Sequence, residues 1–185
     1  MKKDSKKIFE VIKKLKKGEV IILPTDTVYG LFCRAFDKQA VKKIYKIKGR
    51  DFSKPLQVFL SKKTEIFKYC KLNNRQKKYI NKYLPGPYTL ILELRDKYKK
   101  FFSFLKDTIG VRIIKYKLLN EIIKKTGPLA ATSANLSGEP TPVKYNDIHP
   151  VLLEKLFAFQ DDSIVRGKAS QVIDLTGEKL VILRK

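Results

Sequence analysis

Short apolar runs alternate along this chain with amphipathic segments of helical period, and this alternation is the feature that most restricts its fold. Apolar side chains recur at helical spacing from Ile8 to Leu15, and the run from Val20 to Leu23 is typical of a buried strand ended by Pro24. Strand and helix patterns interleave to the end of the chain, where a hairpin turns at Gly177. The pattern therefore predicts an α/β fold with a mixed sheet rather than a wholly parallel one.

Local signals predict where the elements begin and end. We expect Ser5 to cap the first helix and Gly18 to end it, and Asp37 and Gly49 to bound the second. Further helices are predicted over 61–83, 118–125 and 150–156, and further strands over 55–60, 88–94, 109–114, 129–132, 172–175 and 180–183. No linker, repeat or change of composition divides the chain, so we expect a single domain over residues 1–185.

The composition excludes several classes of protein. Hydrophobic residues make up 43% and charged residues 32%, which suits neither a disordered chain nor a membrane protein. The apolar runs are too short to span a bilayer, and the lysine-rich N-terminus lacks the apolar core of a signal peptide. Cys33, Cys70 and the single histidine, His149, lack metal-ligand spacing. We therefore predict no protein metal site and a cytoplasmic location, where thiols stay reduced.

The formal net charge of +23 raises the question of nucleic-acid binding. A basic surface attracts polyanions because neutralised phosphates release counterions. Only seven of the 41 basic residues are arginines, however, and arginine is the side chain that reads phosphates in a bidentate manner. Lysines spread over almost every predicted helix are typical of solvated faces, so a contact with tRNA or other RNA remains an open alternative.

Two loops bring polar or cationic residues to the ends of predicted elements. The loop from Pro24 to Leu31 contains two threonines, an aspartate and a glycine after a buried strand, so it is either an ordinary capped turn or a contact for a small polar ligand. The segment from Lys48 to Pro55 gathers Lys48, Arg50 and Lys54 at a helix C-terminus. Dipole compensation or binding of a polyanion would each explain these three cations.

Two further segments carry residues suited to anions. Arg112 lies within a β-branched strand, where it is costly to desolvate unless it meets an anion, so it is either a structural arginine or a carboxylate clamp. The small-residue strand at Ala130 opens into a Ser/Asn/Gly loop whose backbone can approach a phosphate closely. Neither a Walker phosphate loop nor a serine-hydrolase elbow is present. Positioning and charge stabilisation are therefore the expected chemistry.

Taken in order, these segments resemble the TsaC/YrdC family of threonylcarbamoyl-adenylate synthases. The similarity extends from Val20 to Arg184 and includes Pro-Thr-Asp-Thr-Val-Tyr-Gly-Leu, Pro-Gly-Pro-Tyr-Thr-Leu and Thr-Ser-Ala-Asn-Leu-Ser-Gly. The family's Lys-x-Arg and Ser-x-Asn signature is present, whereas a related branch on the same scaffold lacks it. Its residues here are Lys48, Arg50, Ser133 and Asn135.

The resemblance implies a twisted, mostly parallel sheet flanked by helices, with a concave basic groove that holds two substrates. It implies catalytic roles for the four signature residues. It implies an ATP site made of Arg50, Lys54, Thr108, Ser133, Thr141 and Arg184. It implies a threonine site made of Thr25, Arg112, Ala131 and Ser170, with Arg112 holding the carboxylate.

The implied reaction forms threonylcarbamoyl-AMP and pyrophosphate from L-threonine, bicarbonate and ATP. Mg²⁺ would be carried with the ATP and would keep several waters. The implied partners are the transferase machinery that modifies adenosine in tRNA, and the chain resembles a single-domain form. An RNA-binding or ribosome-assembly protein, and a nucleotide-binding paralogue on the same scaffold, are the alternatives.

Three positions depart from the common pattern of the family. Asp51 stands where proline often follows the signature arginine, and Phe59 stands where many members carry a histidine in the threonine pocket. Ser170 is flanked by alanine and glutamine rather than by glutamate and threonine. We expect Asp51 to weaken ATP binding unless its carboxylate points away or pairs with Lys54.

Overall fold

The computed structural model describes the backbone from residue 2 to residue 185 and the side chains from residue 6 onward. In this part of the chain, nine strands form one sheet. They are β1 (Ile21–Leu23), β2 (Gly30–Arg34), β3 (Gln57–Phe59), β4 (Tyr88–Glu93), β5 (Thr108–Arg112), β6 (Leu129–Ser133), β7 (Phe157–Ala158), β8 (Gln171–Asp174) and β9 (Val181–Arg184). The helices are α1 (Lys2–Lys16), α2 (Lys38–Lys48), α3 (Lys63–Tyr69), α4 (Asn74–Tyr83), α5 (Asp96–Lys99), α6 (Lys117–Thr126) and α7 (Pro150–Lys155). Two 3₁₀ turns cover Tyr145–Asp147 and Asp162–Ile164.

The strands lie in the order β7-β1-β2-β6-β3-β5-β4-β8-β9. The sheet is mixed and flanked by helices, as predicted. Parallel pairing joins β1 to β7, β3 to β5 and β4 to β8, whereas the other five neighbouring pairs are antiparallel. The expectation of mostly parallel pairing is therefore corrected for this chain. Two of the five antiparallel pairs have a local reason, because the hairpins β1–β2 and β8–β9 close through short loops, and a short loop can join only antiparallel neighbours.

Two apolar layers cover the two faces of the sheet, as the alternation of side chains along each strand requires. In β1, Ile21 and Leu23 pack with α1 and α6, whereas Ile22 packs in the layer that contains α2, α3, α4 and α7. Each layer is a continuous cluster of buried side chains. None of the helices in the described part of the chain has the length and apolarity that crossing a membrane requires.

Most predicted boundaries lie within one or two residues of the observed ones. Asp37 caps α2 through hydrogen bonds from the amides of Gln39 and Ala40, and Gly49 ends the helix with φ of 60°. The predicted beginning of the first helix at Ser5 is wrong, because α1 begins at Lys2. Ser5 therefore lies within the helix rather than at its N-cap, and its side chain lies outside the described residues.

The sequence pattern also missed one central strand. The residues of β2 pair with both β1 and β6, which places this strand inside the sheet. It completes a hairpin around the loop at residues 24–29. Because β2 pairs with β6, the polar loop that precedes β2 lies beside the end of β6, where the functional pocket is found.

Candidate functional site

A pocket opens where the β1–β2 loop meets the ends of β3, β5 and β6. The strand register brings its residues together: Gly30 pairs with Ser133, and Phe59 pairs with Arg112. Eight of the predicted site residues line it, namely Thr25, Arg50, Arg112, Ala131, Ser133, Thr141, Ser170 and Arg184. Residues predicted for the ATP site and for the threonine site therefore share one pocket. The predicted concave basic groove stays a prediction.

Arg112 forms part of the wall of this pocket and is only 3% exposed. Its guanidinium donates hydrogen bonds to Asp26 and, over 2.8 Å, to Oγ1 of Thr27. The guanidinium carbon lies 5.2 Å from the centre of the Phe59 ring. Among the described residues, Nε of Arg112 is buried without a hydrogen-bond partner. A buried donor without an acceptor is costly, so the guanidinium keeps hydrogen-bonding capacity beyond its contacts with Asp26 and Thr27.

Burial lowers the pKa of Arg112, while the carboxylate of Asp26 acts in the opposite direction. Arginine stays charged in proteins because its ordinary pKa is so high. Asp26 supplies one counter-charge and leaves part of the guanidinium for a second anion. The arrangement is therefore compatible with a carboxylate clamp, one of the two alternatives that the sequence left open.

Thr25 lines the pocket but also organises its own loop. Its hydroxyl lies 2.7 Å from the carbonyl of Val28, to which it donates, and it accepts hydrogen bonds from the amides of Thr27 and Val28. The capped turn that the sequence allowed is thus present. The same turn faces the pocket, so the two interpretations of this loop are compatible.

Ser170 and Arg184 form a second polar group at the pocket. Arg184 donates from Nε and NH2 to the carbonyl of Ser170, at 2.9 and 2.8 Å. The hydroxyl of Ser170 lies 3.0 Å from Oγ1 of Thr89. Arg184 is exposed, so part of its guanidinium remains accessible to a ligand, while the buried Ser170 anchors the chain beside it.

Lys48 and Asn135 lie next to the pocket without lining it. Nζ of Lys48 is 2.6 Å from the carbonyl and 2.7 Å from Oδ1 of Asn135, and 2.9 Å from the carbonyl of Ser133. The side chain of Lys48 is only 4% exposed, and burial, followed by the nearby charge of Arg50, lowers its pKa to about 8. In this structure, Lys48 therefore holds the loop that follows β6.

Arg50 lines the pocket, and its guanidinium donates to the carbonyls of Lys54 and Pro55 at 3.0 and 3.2 Å. These bonds fold the segment 50–55 into a tight loop. The side chain of Lys54 is exposed and is not part of the pocket wall. Asp51 is fully exposed, and its carboxylate accepts from the amide of Ser53, which lowers its pKa. The loop itself thus satisfies this negative charge.

Thr108 lies at the opposite end of β5 from Arg112, outside the pocket wall. Alternation along the strand places Thr108, Gly110 and Arg112 on the same face of the sheet. Thr108 is exposed and Gly110 is half-buried. Thr108 therefore lies on the same face as Arg112 but at a distance from the pocket wall, so it would contact only a ligand long enough to extend along β5.

The pocket wall also includes residues that the sequence analysis assigned to neither substrate, among them Gly30 and Phe32. A Cβ atom at Gly30 would lie 2.8 Å from the Phe32 ring and 3.1 Å from the carbonyl oxygen of Thr132. Only glycine allows so close an approach at this point of the wall. The available signal was the glycine that ends the polar loop. The ring of Phe32 also contacts Phe59, with ring centres 5.0 Å apart.

Comparison with known proteins identifies the family of this chain. The Sua5/YciO/YrdC family model, described as "Telomere recombination", matches residues 13–185. A Methanocaldococcus jannaschii protein provisionally named threonylcarbamoyl-AMP synthase is 35% identical, over 98% of this chain and 87% of its own length. The human threonylcarbamoyl-AMP synthase is 33% identical over 76% of this chain and 52% of its own length.

A solved structure shows the same fold. Pyrococcus abyssi Sua5 complexed with L-threonine superimposes with a TM-score of 0.87 and is 31% identical, over 96% of this chain and 53% of that one. The present chain thus spans about half the length of the human and Pyrococcus relatives. Because the family model covers nearly the whole sequence and the fold agrees, the chain belongs to the Sua5/YciO/YrdC family.

Proposed function

We propose that this protein is an L-threonylcarbamoyladenylate synthase, which forms threonylcarbamoyl-AMP and pyrophosphate from L-threonine, bicarbonate and ATP. The observation that carries the proposal is the buried Arg112, whose Nε has no partner among the described residues and which lies in the wall of a polar pocket. The relatives named threonylcarbamoyl-AMP synthase, and the relative whose structure contains L-threonine, support the same activity.

In the proposed reaction, the amine of threonine and carbon dioxide form a carbamate. A carbamate oxygen then attacks the α-phosphorus of ATP, and the bond to the β-phosphate oxygen breaks to release pyrophosphate. Such a step needs alignment and neutralisation of charge more than covalent help. Arg112 would hold the carboxylate of threonine, which orients the amine. Arg50 and Ser133 line the pocket and would contact the phosphates.

Lys48 and Asn135 would act beside those contacts. The ammonium of Lys48 fixes the main chain at Ser133 and Asn135, so it sets the position from which Ser133 meets a phosphate. Lys54, Thr141 and Arg184 would complete the ATP contacts, and Thr108 would meet the part of ATP farthest from Arg112. Thr25, the backbone of Ala131, and Ser170 would complete the threonine site.

Mg²⁺ would be bound through the phosphates of ATP. The described residues include no group of three or more His, Cys, Asp or Glu side chains arranged to hold a metal. Mg²⁺ binds readily through phosphate oxygens, so the ion would arrive with the nucleotide and keep several waters. The ion would neutralise charge on the phosphate oxygens.

The proposed reaction makes the protein a nucleotidyltransferase that supplies tRNA modification in the cytoplasm. Its product would pass to a transferase that acts on adenosine in tRNA, and the lysine-rich surface could contact tRNA directly. The relatives named as synthases of the same product support this assignment.

The test is release of pyrophosphate from MgATP, measured with and without L-threonine and bicarbonate, with L-serine as the control substrate. The proposal expects release only when threonine and bicarbonate are both present. Turnover of ATP that is indifferent to threonine would favour a nucleotide-binding paralogue. Absence of turnover combined with salt-sensitive RNA binding would favour the RNA-binding alternative.

A further inference from the structure

Tyr29 lies where three segments around the pocket meet, and its side chain is fully buried. Its amide donates to the carbonyl of Pro142 over 3.1 Å, and its carbonyl accepts from the amide of Ala134 over 2.9 Å. The main chain of Tyr29 therefore fixes both ends of the loop 134–142. This loop follows Ser133 and includes Thr141, two residues assigned above to the ATP side.

The hydroxyl of Tyr29 contacts a different segment. It donates to Oδ1 of Asp162 over 2.6 Å and accepts from the amide of Asp161 over 3.0 Å. The same carboxylate oxygen accepts from the amide of Tyr145 over 2.8 Å. Burial, followed by the hydrogen bond to Asp162, raises the pKa of Tyr29, so its hydroxyl remains a donor over the working pH range.

Residues 161–170 are here named the strap, because they cross beside the pocket and contribute Ala169 and Ser170 to its wall. The strap is fastened in its middle by the amide of Gly167, which donates to the carbonyl of Thr27 over 2.9 Å. Its C-terminal end is fastened at Ser170 by Arg184 and Thr89. The hydroxyl of Tyr29 fastens its N-terminal end at Asp161 and Asp162, where the hydroxyl of Tyr116 also donates to Oδ2 of Asp161 over 2.8 Å.

We propose that Tyr29 is a positioning residue that fixes the two halves of the pocket by separate means. Its main chain fixes the loop 134–142 on the ATP side, and its hydroxyl fixes the strap on the threonine side. This inference rests on the proposed function for the identity of the two ligands. Loss of the hydroxyl alone should loosen the strap and weaken threonine binding, while the loop 134–142 stays in place because the main-chain bonds of Tyr29 remain.

The experiment uses Tyr29→Phe, which removes only the hydroxyl, together with Asp162→Ala and Asp162→Asn. Asparagine keeps an acceptor at the position of Oδ1, so Asp162→Asn should rescue what Asp162→Ala loses. Tyr45→Phe is the matched control. Tyr45 is also buried, and its hydroxyl donates to the carbonyl of Lys54 over 3.1 Å, in the loop on the ATP side.

Hydrogen exchange of the main-chain amides is measured first, because it does not depend on the identity of the ligands. Tyr29→Phe and Asp162→Ala should each speed exchange in the strap by about tenfold. Both remove the bond between the Tyr29 hydroxyl and Asp162, so the double variant should speed exchange by less than the product of the two single effects, although each change also removes one further bond, from the Asp161 amide or from the Tyr145 amide. Tyr45→Phe and Asp162→Asn should leave exchange in the strap unchanged. Equal acceleration in the strap and in the loop 134–142, or none in either, would overturn the inference.

The second measurement is the KM for each substrate. Tyr29→Phe should raise the KM for threonine by about tenfold and change the KM for ATP by less than about twofold. An equal rise in both KM values would overturn the separate roles of main chain and hydroxyl. If the wild type binds no threonine, the proposed function fails, whereas the exchange measurement still decides whether the hydroxyl holds the strap.

Discussion

Arg112 and Lys48 are two buried cations at the same pocket, yet their surroundings differ. Arg112 uses part of its guanidinium on Asp26 and Thr27 and leaves Nε without a partner among the described residues. Lys48 has acceptors within 2.9 Å at the carbonyls of Ser133 and Asn135 and at the Asn135 side chain. A buried cation with a spare donor is suited to a ligand, whereas one whose donors are all used fixes the protein itself.

The two cations are therefore expected to have different roles: Arg112 binds a ligand, whereas Lys48 fixes the position of a loop. Removal of Arg112 should abolish recognition of an anion, whereas removal of Lys48 should misplace a loop that carries other contacts.

The largest effect is expected from Arg112→Ala. The change leaves the carboxylate of Asp26 without its cation, so the free energy of unfolding should fall by about 3–5 kcal/mol, as measured by urea denaturation. Arg112→Lys keeps the charge but removes Nε, so it should fold and yet lose threonine affinity by about 10- to 100-fold in calorimetric titration. Unaltered affinity in Arg112→Lys would contradict the carboxylate clamp.

Arg50→Ala should come next, because Arg50 lines the pocket and would neutralise developing charge on the phosphates. The activation barrier should rise by about 3 kcal/mol or more, measured as kcat/KM for ATP. Arg34→Ala is the control: Arg34 also donates to a main-chain carbonyl, that of Thr126, but lies outside the pocket wall. Equal losses in the two variants would show that Arg50 acts only through stability.

The role of Lys48 should be visible in the pH dependence of the enzyme's activity. Because burial lowers its pKa to about 8, the ammonium form that braces the loop prevails below that pH and is lost above it. Activity of the wild type should therefore fall as pH rises through about 8, and Lys48→Arg, which stays charged, should lack this alkaline limb. The measurement is kcat/KM from pH 6 to 10, and an identical limb in both proteins would contradict the assignment to Lys48.

The smallest effect is expected from Asp51→Asn. The carboxylate is fully exposed and accepts from the amide of Ser53, an interaction that asparagine can replace. The KM for ATP should change by less than about twofold. A large fall in the KM for ATP would show instead that the negative charge of Asp51 opposes the nucleotide.

Local signals in the sequence were sufficient to predict the boundaries of most helices and strands. Asp37 and Gly49 bound a helix because a side-chain cap and a left-handed glycine act within one turn. The strand β2 was missed because its short apolar run comes directly after a polar loop, and its pairing with β1 and β6 is a tertiary property. The excess of antiparallel pairing likewise depends on which strands become neighbours.

Eight of the twelve predicted site residues line the pocket, and the sequence did not reveal the contacts that each of them makes there. The resemblance to a family placed Arg112 and Ser170 in one site, and the structure brings both to one pocket. The bracing role of Lys48 could not be predicted, because its acceptors lie 85 and 87 residues further along the chain. Whether Nε of Arg112 has a partner depends on its distance to every neighbouring acceptor, and those distances are set by the tertiary structure.

The most direct test of the proposed activity is detection of the product itself. Wild type and Arg112→Lys are incubated with MgATP, L-threonine and ¹³C-bicarbonate. The adenylates are then separated, and their masses are measured by mass spectrometry. The proposed function predicts a threonylcarbamoyl-AMP that carries one ¹³C in the wild type and a greatly reduced amount in Arg112→Lys at limiting threonine. Absence of the labelled adenylate from the wild type, with folded protein and intact ATP, would contradict it.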